Sequence, residues 1–124
     1  MSKAWMIAIV DDDAAVREAL FDFLQVENLP ARAFAAAADF LADPAIASFA
    51  CVITDIRMPD IDGLELQRRL RARGSAMPVI FITSTSEEAT RVRAMRGGAI
   101  AFLTKPFDDE ALLGILRTVL GGRP

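Results

Sequence analysis

The segment that decides the fold is Val52-Ile53-Thr54-Asp55-Ile56-Arg57-Met58-Pro59-Asp60-Ile61-Asp62-Gly63. It begins with continuous apolar and β-branched residues, which are typical of a strand buried on both faces. The run stops at Asp55, and Pro59 indicates a loop rather than a continued regular element. Asp62 is then placed to cap a helix that begins at Gly63, with Glu65 at the capping-box spacing. The segment therefore predicts a strand, a loop and a helix in direct succession.

The same succession recurs on both sides of this segment. Apolar runs predict five strands, of which the alanine-rich second is the weakest: Trp5–Val10, Ala31–Phe34, Cys51–Thr54, Val79–Thr83 and Ile100–Leu103. Five helices are also predicted. The first follows Asp13 and carries the apolar stripe Val16, Leu20, Phe23 and Leu24, the second spans Ala36–Ala42 before Pro44, and the third starts at Gly63. The fourth has Thr85 and Glu88 at capping-box spacing and ends at Gly97-Gly98, and the fifth carries Leu112, Ile115, Leu116 and Val119 before Gly121-Gly122. Right-handed crossovers then place helices on both faces of one parallel sheet, a doubly wound α/β fold with five strands and five helices.

Composition excludes several classes of function. The chain has 124 residues, of which 53% are hydrophobic, and a net charge of -3, which argues against a mainly electrostatic nucleic-acid or membrane partner. It contains no histidine, which excludes a serine–histidine triad and His-liganded metals. The single Cys51 excludes an internal disulfide, and no run of 18 apolar residues exists. We expect one cytoplasmic domain over residues 1–124.

Polar side chains follow four of the predicted strands. Asp11 and Asp12 follow the first strand, Asp55 the third, and Lys105 the fifth, while Thr83 ends the fourth. Because parallel strands present their carboxyl ends at one edge of a sheet, these groups should lie together. Clustered carboxylates without His or Cys favour Mg²⁺ as the neutralising cation. The lysine and the hydroxyl suit phosphoryl oxygens, and a carboxylate is a competent nucleophile toward phosphorus.

Each of these residues also has an ordinary structural interpretation. The aspartates at 11–13 could cap the first helix, Asp55 could belong to a turn, Thr83 could bond to the backbone, and Lys105 could be solvated. Their combination at one sheet edge favours a functional site. The chain has only two lysines against twelve arginines, and one of the two falls at a strand end where an ammonium group is useful.

The chain resembles the receiver domains of two-component response regulators from Ile7 to Leu120. The motifs that carry the resemblance are Ile9-Val10-Asp11-Asp12-Asp13, the segment Val52–Gly63, Pro78-Val79-Ile80-Phe81-Ile82-Thr83, Gly98-Ala99 and Lys105-Pro106-Phe107. The resemblance implies a flavodoxin-like strand order of 2-1-3-4-5. It also implies a protein that is not an enzyme beyond its own phosphotransfer and dephosphorylation.

The resemblance also assigns roles to the residues at the predicted sheet edge. Asp55 would be the phosphoacceptor. Asp12 would bind Mg²⁺ directly and Asp11 mostly through water, with Asp55 and the main-chain carbonyl of Arg57 completing the protein ligands. Thr83 would donate a hydrogen bond to the phosphoryl group.

Further implied roles concern the lysine and the switch. Lys105 would pair with the phosphoryl group, and Phe102 matches an aromatic switch position that acts together with Thr83. The Lys105–Pro106 bond is often cis in such domains. Two residues depart from the usual pattern. Ser84 stands where such domains usually have Ala or Gly, which would slightly crowd the approach to the phosphate, and Phe102 lacks the hydroxyl of the usual tyrosine.

The resemblance implies partners as well. A sensor histidine kinase or a phosphotransfer protein would supply the phosphoryl group. An output domain or partner protein, or a second copy of the chain, would bind the face formed by the fourth helix, fifth strand and fifth helix.

Two alternatives remain at this point. A phosphorylation-independent interaction module of the same fold should have lost the acidic residues or the lysine, and this chain keeps them. Asp60-Ile61-Asp62-Gly63 resembles the nucleophile motif of haloacid-dehalogenase-like phosphatases, but Pro59 makes it a loop rather than a strand end.

The arginines of the third and fourth helices lack interleaved aromatics and are more simply explained as solvated helix faces than as a nucleic-acid site.

Overall fold

The structure, a computed structural model, describes residues 6–121. Its regular elements are β1 (Met6–Val10), α1 (Ala14–Val26), β2 (Ala31–Phe34), α2 (Ala37–Leu41), a short 3-10 helix (Ile46–Ser48), β3 (Phe49–Thr54), α3 (Gly63–Ala72), β4 (Val79–Thr83), α4 (Glu88–Arg96), β5 (Ala101–Thr104) and α5 (Asp109–Leu120). None of these helices is both long and apolar enough to cross a membrane.

The five strands form one parallel sheet in the order β2-β1-β3-β4-β5, which confirms the predicted fold and strand order. Every residue of β3 and β4 is buried, because helices cover both faces of the sheet. Alternate strand residues therefore contribute to two separate apolar layers. One layer packs under α2, α3 and α4 and contains Val52, Phe81, Phe40, Leu66 and Ala94. The other packs under α1 and α5 and contains Ile9, Ile53, Leu24, Leu112 and Leu116.

Several element boundaries differ from the sequence prediction. Strand β3 begins two residues earlier, at Phe49, and β5 is shifted by one residue to Ala101–Thr104. Helix α2 is confined to Ala37–Leu41, and the 3-10 helix after it was not predicted. Trp5, the predicted start of the first strand, and Gly122, part of the predicted last stop, lie outside the described residues.

The two predicted capping boxes form only in part. Asp62 accepts the Glu65 N–H at 2.8 Å, but the Glu65 carboxylate pairs with Arg68 and Arg69 instead of returning to the cap. The prediction that Thr85 caps the fourth helix is wrong. Helix α4 starts after Glu87 with no side-chain cap, and the Thr85 hydroxyl faces the Glu87 N–H at 3.5 Å, which turns the preceding loop.

Candidate phosphoacceptor site

Three charged side chains meet at the carboxyl edge of the sheet. Lys105 Nζ lies 3.2 Å from Asp55 Oδ2 and 3.7 Å from Asp11 Oδ2. Asp11 and Asp55 are 3% and 9% exposed, and the Lys105 side chain is 25% exposed. The ends of β1, β3 and β5 thus bring together three of the residues predicted from sequence. A lysine placed between two carboxylates offsets a repulsion that burial would otherwise strengthen.

The Asp55 carboxylate is held by the backbone that follows it. Its Oδ1 atom accepts the Ile56 N–H at 2.6 Å and, more weakly, the Arg57 N–H at 3.4 Å. The Asp55 N–H donates to the Val10 carbonyl at 3.2 Å, which continues the β1–β3 pairing by one residue. These bonds fix Oδ1 and leave Oδ2 facing Lys105.

Gly63 allows the start of α3 to approach the main chain of Asp55. A Cβ atom at this position would lie 2.1 Å from the Asp55 carbonyl oxygen. The Gly63 N–H donates to the Ile56 carbonyl at 2.8 Å, and the Thr54 hydroxyl donates to the Asp55 carbonyl at 2.9 Å. The capping pattern predicts Gly63 as a helix start, and nothing local in the sequence reports this close contact.

The three aspartates after β1 have different environments. Asp11 Oδ1 accepts the Asp13 N–H at 2.9 Å. Asp13 caps α1 by accepting the N–H groups of Ala15 and Val16 at 2.9 and 3.4 Å, so the capping interpretation is correct for this residue. Asp12 is exposed. Burial raises the pKa of Asp11, and the Asp55 and Asp12 charges add to this, while the Asp13 N–H and Lys105 lower it.

Thr83 occupies the end of β4 and is fully buried. Its hydroxyl oxygen accepts the Thr85 N–H at 3.3 Å, and its main-chain carbonyl accepts the Lys105 N–H at 2.8 Å. The backbone bond places Lys105 directly beside the end of β4. The Lys105–Pro106 peptide is cis.

Phe102 lies on β5 opposite Phe81 of β4, and Ser84 follows Thr83 in the chain. The Phe102 ring is half-buried on β5, an edge strand, with its centroid 6.3 Å from that of Phe81. Ser84 is exposed immediately after Thr83.

The second carboxylate pair singled out in the sequence does not join the site. Asp60 lies in the loop between β3 and α3 with a φ of 67°, and Asp62 caps α3. Neither follows a strand directly, as the phosphatase alternative would require.

The donor set at the sheet edge fits a hard divalent cation. Within residues 6–121, no group of three or more Cys, Asp or Glu side chains could hold a metal ion by itself. Asp11 and Asp55 supply two carboxylates beside the loop that carries the Arg57 carbonyl. Mg²⁺ is usually bound by one or two carboxylates and retains several waters, so it suits this set better than a metal that needs a full protein cage.

Comparison with known proteins decides the family. The family model described as the response regulator receiver domain matches residues 7–117. The chain belongs to this family. Receiver domains of this family are regulatory parts of two-component systems rather than conventional enzymes.

Similar proteins and structures agree with this assignment. The receiver is 44% identical over 115 residues to the response regulator protein TmoT of Ectopseudomonas mendocina, covering 93% of this chain and 52% of TmoT. It is 41% identical to the transcriptional regulatory protein FixJ of Azorhizobium caulinodans, covering 98% of this chain and 57% of FixJ. The chain thus spans about half the length of these curated relatives.

Solved structures share the fold over nearly the whole chain. The crystal structure of FixJ-N matches with a TM-score of 0.87 at 31% identity, covering 99% of this chain and 98% of that chain. The response regulator StyR matches with a TM-score of 0.85 at 37% identity, covering 94% of this chain and 59% of that chain.

Proposed function

We propose that this receiver, over residues 1–124, accepts a phosphoryl group on Asp55 and thereby switches an output surface. The observation that carries the proposal is the position of Lys105 Nζ between the carboxylates of Asp55 and Asp11. A phosphorylation-independent module has no need of a buried acidic pair with a shared lysine.

The protein ligands for Mg²⁺ are proposed to be Asp12 directly, Asp11 mostly through water, Asp55 and the main-chain carbonyl of Arg57. A bound cation would neutralise the negative charge of these carboxylates and of the incoming phosphoryl oxygens. Burial supports Asp11 and Asp55 as two of these ligands, because clustered buried carboxylates favour a compensating cation.

The transfer step is a displacement at phosphorus by an Asp55 carboxylate oxygen. The new bond joins that oxygen to phosphorus and gives an acyl phosphate, while the bond from phosphorus to the donor breaks. The leaving group takes the electron pair, as acetate from acetyl phosphate or as the imidazole of a sensor kinase histidine, which gains a proton. Lys105 and Thr83 bind the oxygens of the transferred group.

The output step joins this site to the face formed by α4, β5 and α5. Phosphorylation attracts the Thr83 hydroxyl away from the Thr85 N–H, because a hydrogen bond from a hydroxyl to an anion is stronger than one between two neutral groups. The space so released lets the Phe102 ring turn inward, which exchanges one packing for another. A sensor histidine kinase or phosphotransfer protein is the proposed donor. An output domain, a partner protein or a second copy is the proposed occupant of the altered face.

Intact-mass measurement with acetyl phosphate and Mg²⁺ tests this function. Wild-type protein should gain one phosphoryl group, and Asp55→Asn should gain none. Asp60→Asn, in the loop after β3, is the matched control and should behave as wild type. Unmodified wild-type protein in the presence of demonstrated Mg²⁺ binding would rule out the proposal.

A further inference from the structure

Arg17 on the first turn of α1 reaches back to the end of β1. Its Nη1 atom donates a hydrogen bond to the main-chain oxygen of Asp11 at 2.8 Å. The main-chain N–H of Arg17 donates to the Asp13 carbonyl at 3.0 Å, as the first turn of the helix requires. The half-buried Arg17 side chain therefore bridges the turn between β1 and α1. No motif or spacing in the sequence points to this residue.

The hydrogen bond satisfies a carbonyl that the sheet does not use. The register of β1 with β2 and β3 ends at Val10, although the Asp11 N–H still donates to the Phe34 carbonyl at 3.2 Å. The Asp11 carbonyl lies beyond the ladder, in a residue that is only 3% exposed. A buried carbonyl needs a donor, and a guanidinium supplies a charge-assisted one. Asp11 is thus fixed at its N–H by the Phe34 carbonyl, at its main-chain carbonyl by Arg17, and at its carboxylate by the Asp13 N–H.

The charge of Arg17 has no carboxylate partner in this arrangement. None of the ion pairs formed among residues 6–121 includes it. Coulomb repulsion alone therefore predicts that removing Arg17 tightens the binding of a metal cation at the neighbouring aspartates. The hydrogen bond to Asp11 predicts the opposite, because loss of the donor removes one of the bonds that hold the turn carrying Asp11 and Asp12.

We propose that Arg17 is a positioning residue for the phosphoacceptor site, and that its hydrogen bond holds Asp11 and Asp12 in the arrangement that binds Mg²⁺. The proposal rests on the proposed function of the same site. Residues that orient metal ligands typically change metal affinity by about 10- to 100-fold when removed, and we expect an effect toward the lower end of that range.

Calorimetric Mg²⁺ titration of the full chain tests the proposal. Arg17→Met keeps the apolar stem and removes the donors, and should raise the Kd by about tenfold. Arg17→Lys keeps a cationic donor and should restore most of the affinity. Arg117→Met, which removes the same charge from the exposed face of α5, is the control and should bind as wild type. In Mg²⁺-free buffer, Arg17→Met should also speed amide hydrogen exchange at Asp13.

The outcomes separate the two proposals. An unchanged or lower Kd in Arg17→Met, with wild type binding Mg²⁺, overturns the role of Arg17 and leaves the proposed function intact. Failure of wild type to bind Mg²⁺ overturns both. If Arg17→Met does not fold, Arg17→Gln provides the same comparison with a neutral donor, and its Kd must still exceed that of wild type.

Discussion

Arg71 Nε donates a hydrogen bond to the Gly97 carbonyl at 3.0 Å and so ties the end of α3 to the end of α4. The same guanidinium donates to the carbonyls of Ser75, Met77 and Gly98 at 3.1, 3.0 and 3.3 Å. Helix ends and loops leave such carbonyls without backbone partners. One side chain therefore anchors the carboxyl end of α4, whose amino end has no side-chain cap.

Replacing this anchor should destabilise the domain. Arg71→Met removes four hydrogen bonds from a charged donor, three of them part-buried, which we expect to lower the free energy of unfolding by about 2–4 kcal/mol. Arg96→Met, on the exposed face of α4, should change it by about 0.5 kcal/mol or less. Urea unfolding of both variants measures the difference. Equal effects would show that the Arg71 bonds contribute no net stability.

A pair of glycine substitutions tests the close approach of α3 to the main chain of Asp55. Gly63→Ala would place a Cβ 2.1 Å from the Asp55 carbonyl oxygen, so α3 must shift, at a cost of about 3 kcal/mol or more. Gly114→Ala meets no atom within 4 Å on α5 and should stabilise the protein by about 0.5–1 kcal/mol, because alanine favours a helix. Thermal unfolding should show shifts of opposite sign, and a stable Gly63→Ala variant would contradict the packing described.

The raised pKa of Asp11 predicts that replacing this residue by a neutral one increases the free energy of unfolding, by an amount that depends on pH. Burial, followed by the nearby carboxylates, raises this pKa above its ordinary value of 3.8, so the folded state binds the proton more tightly than the unfolded state does. Stability is therefore lost as pH rises through the folded pKa. In Mg²⁺-free buffer at neutral pH, Asp11→Asn should be more stable than wild type, and this gain should shrink as the pH falls toward 3.8.

Urea unfolding from neutral pH down to about 3.8 measures whether Asp11→Asn raises or lowers the free energy of unfolding. Asp22→Asn, an exposed change on α1, is the control and should give no comparable gain. A destabilised Asp11→Asn at neutral pH would mean that the Asp11 charge is favourable in the folded protein.

The proposed switch predicts where the backbone responds to activation. Beryllofluoride with Mg²⁺, which mimics the phosphoryl group on a carboxylate, should change amide hydrogen exchange mainly in residues 83–108. This range contains the uncapped start of α4 and the edge strand β5. Changes confined to α1 and α2, with residues 84–107 unaffected, would require another route from Asp55 to the output surface.

The fold and the charged centre follow from local sequence patterns. Continuous apolar strands fixed the position of each carboxyl end, and the parallel topology then brought Asp11, Asp55 and Lys105 to one edge. This inference needs only strand identity and direction, which apolar runs report well.

Contacts between distant side chains and backbone could not be predicted in this way. The spacing of Thr85 and Glu88 is compatible with a capping box, but the loop after β4 is used for a turn instead. The Arg71 anchor joins residues 26 positions apart, and the Gly63 contact depends on how closely α3 packs. These contacts depend on tertiary packing rather than on the local spacing of residues.

Reductive trapping of the phosphorylated residue tests the central claim most directly. Borohydride converts an aspartyl phosphate to homoserine, which peptide mass spectrometry then locates in the sequence. After treatment with acetyl phosphate and Mg²⁺, homoserine should appear at position 55 alone, and omission of Mg²⁺ should abolish it. Homoserine at Asp11, Asp12 or Asp60 instead, or at no position despite bound Mg²⁺, would contradict the assignment of Asp55 as the phosphoacceptor.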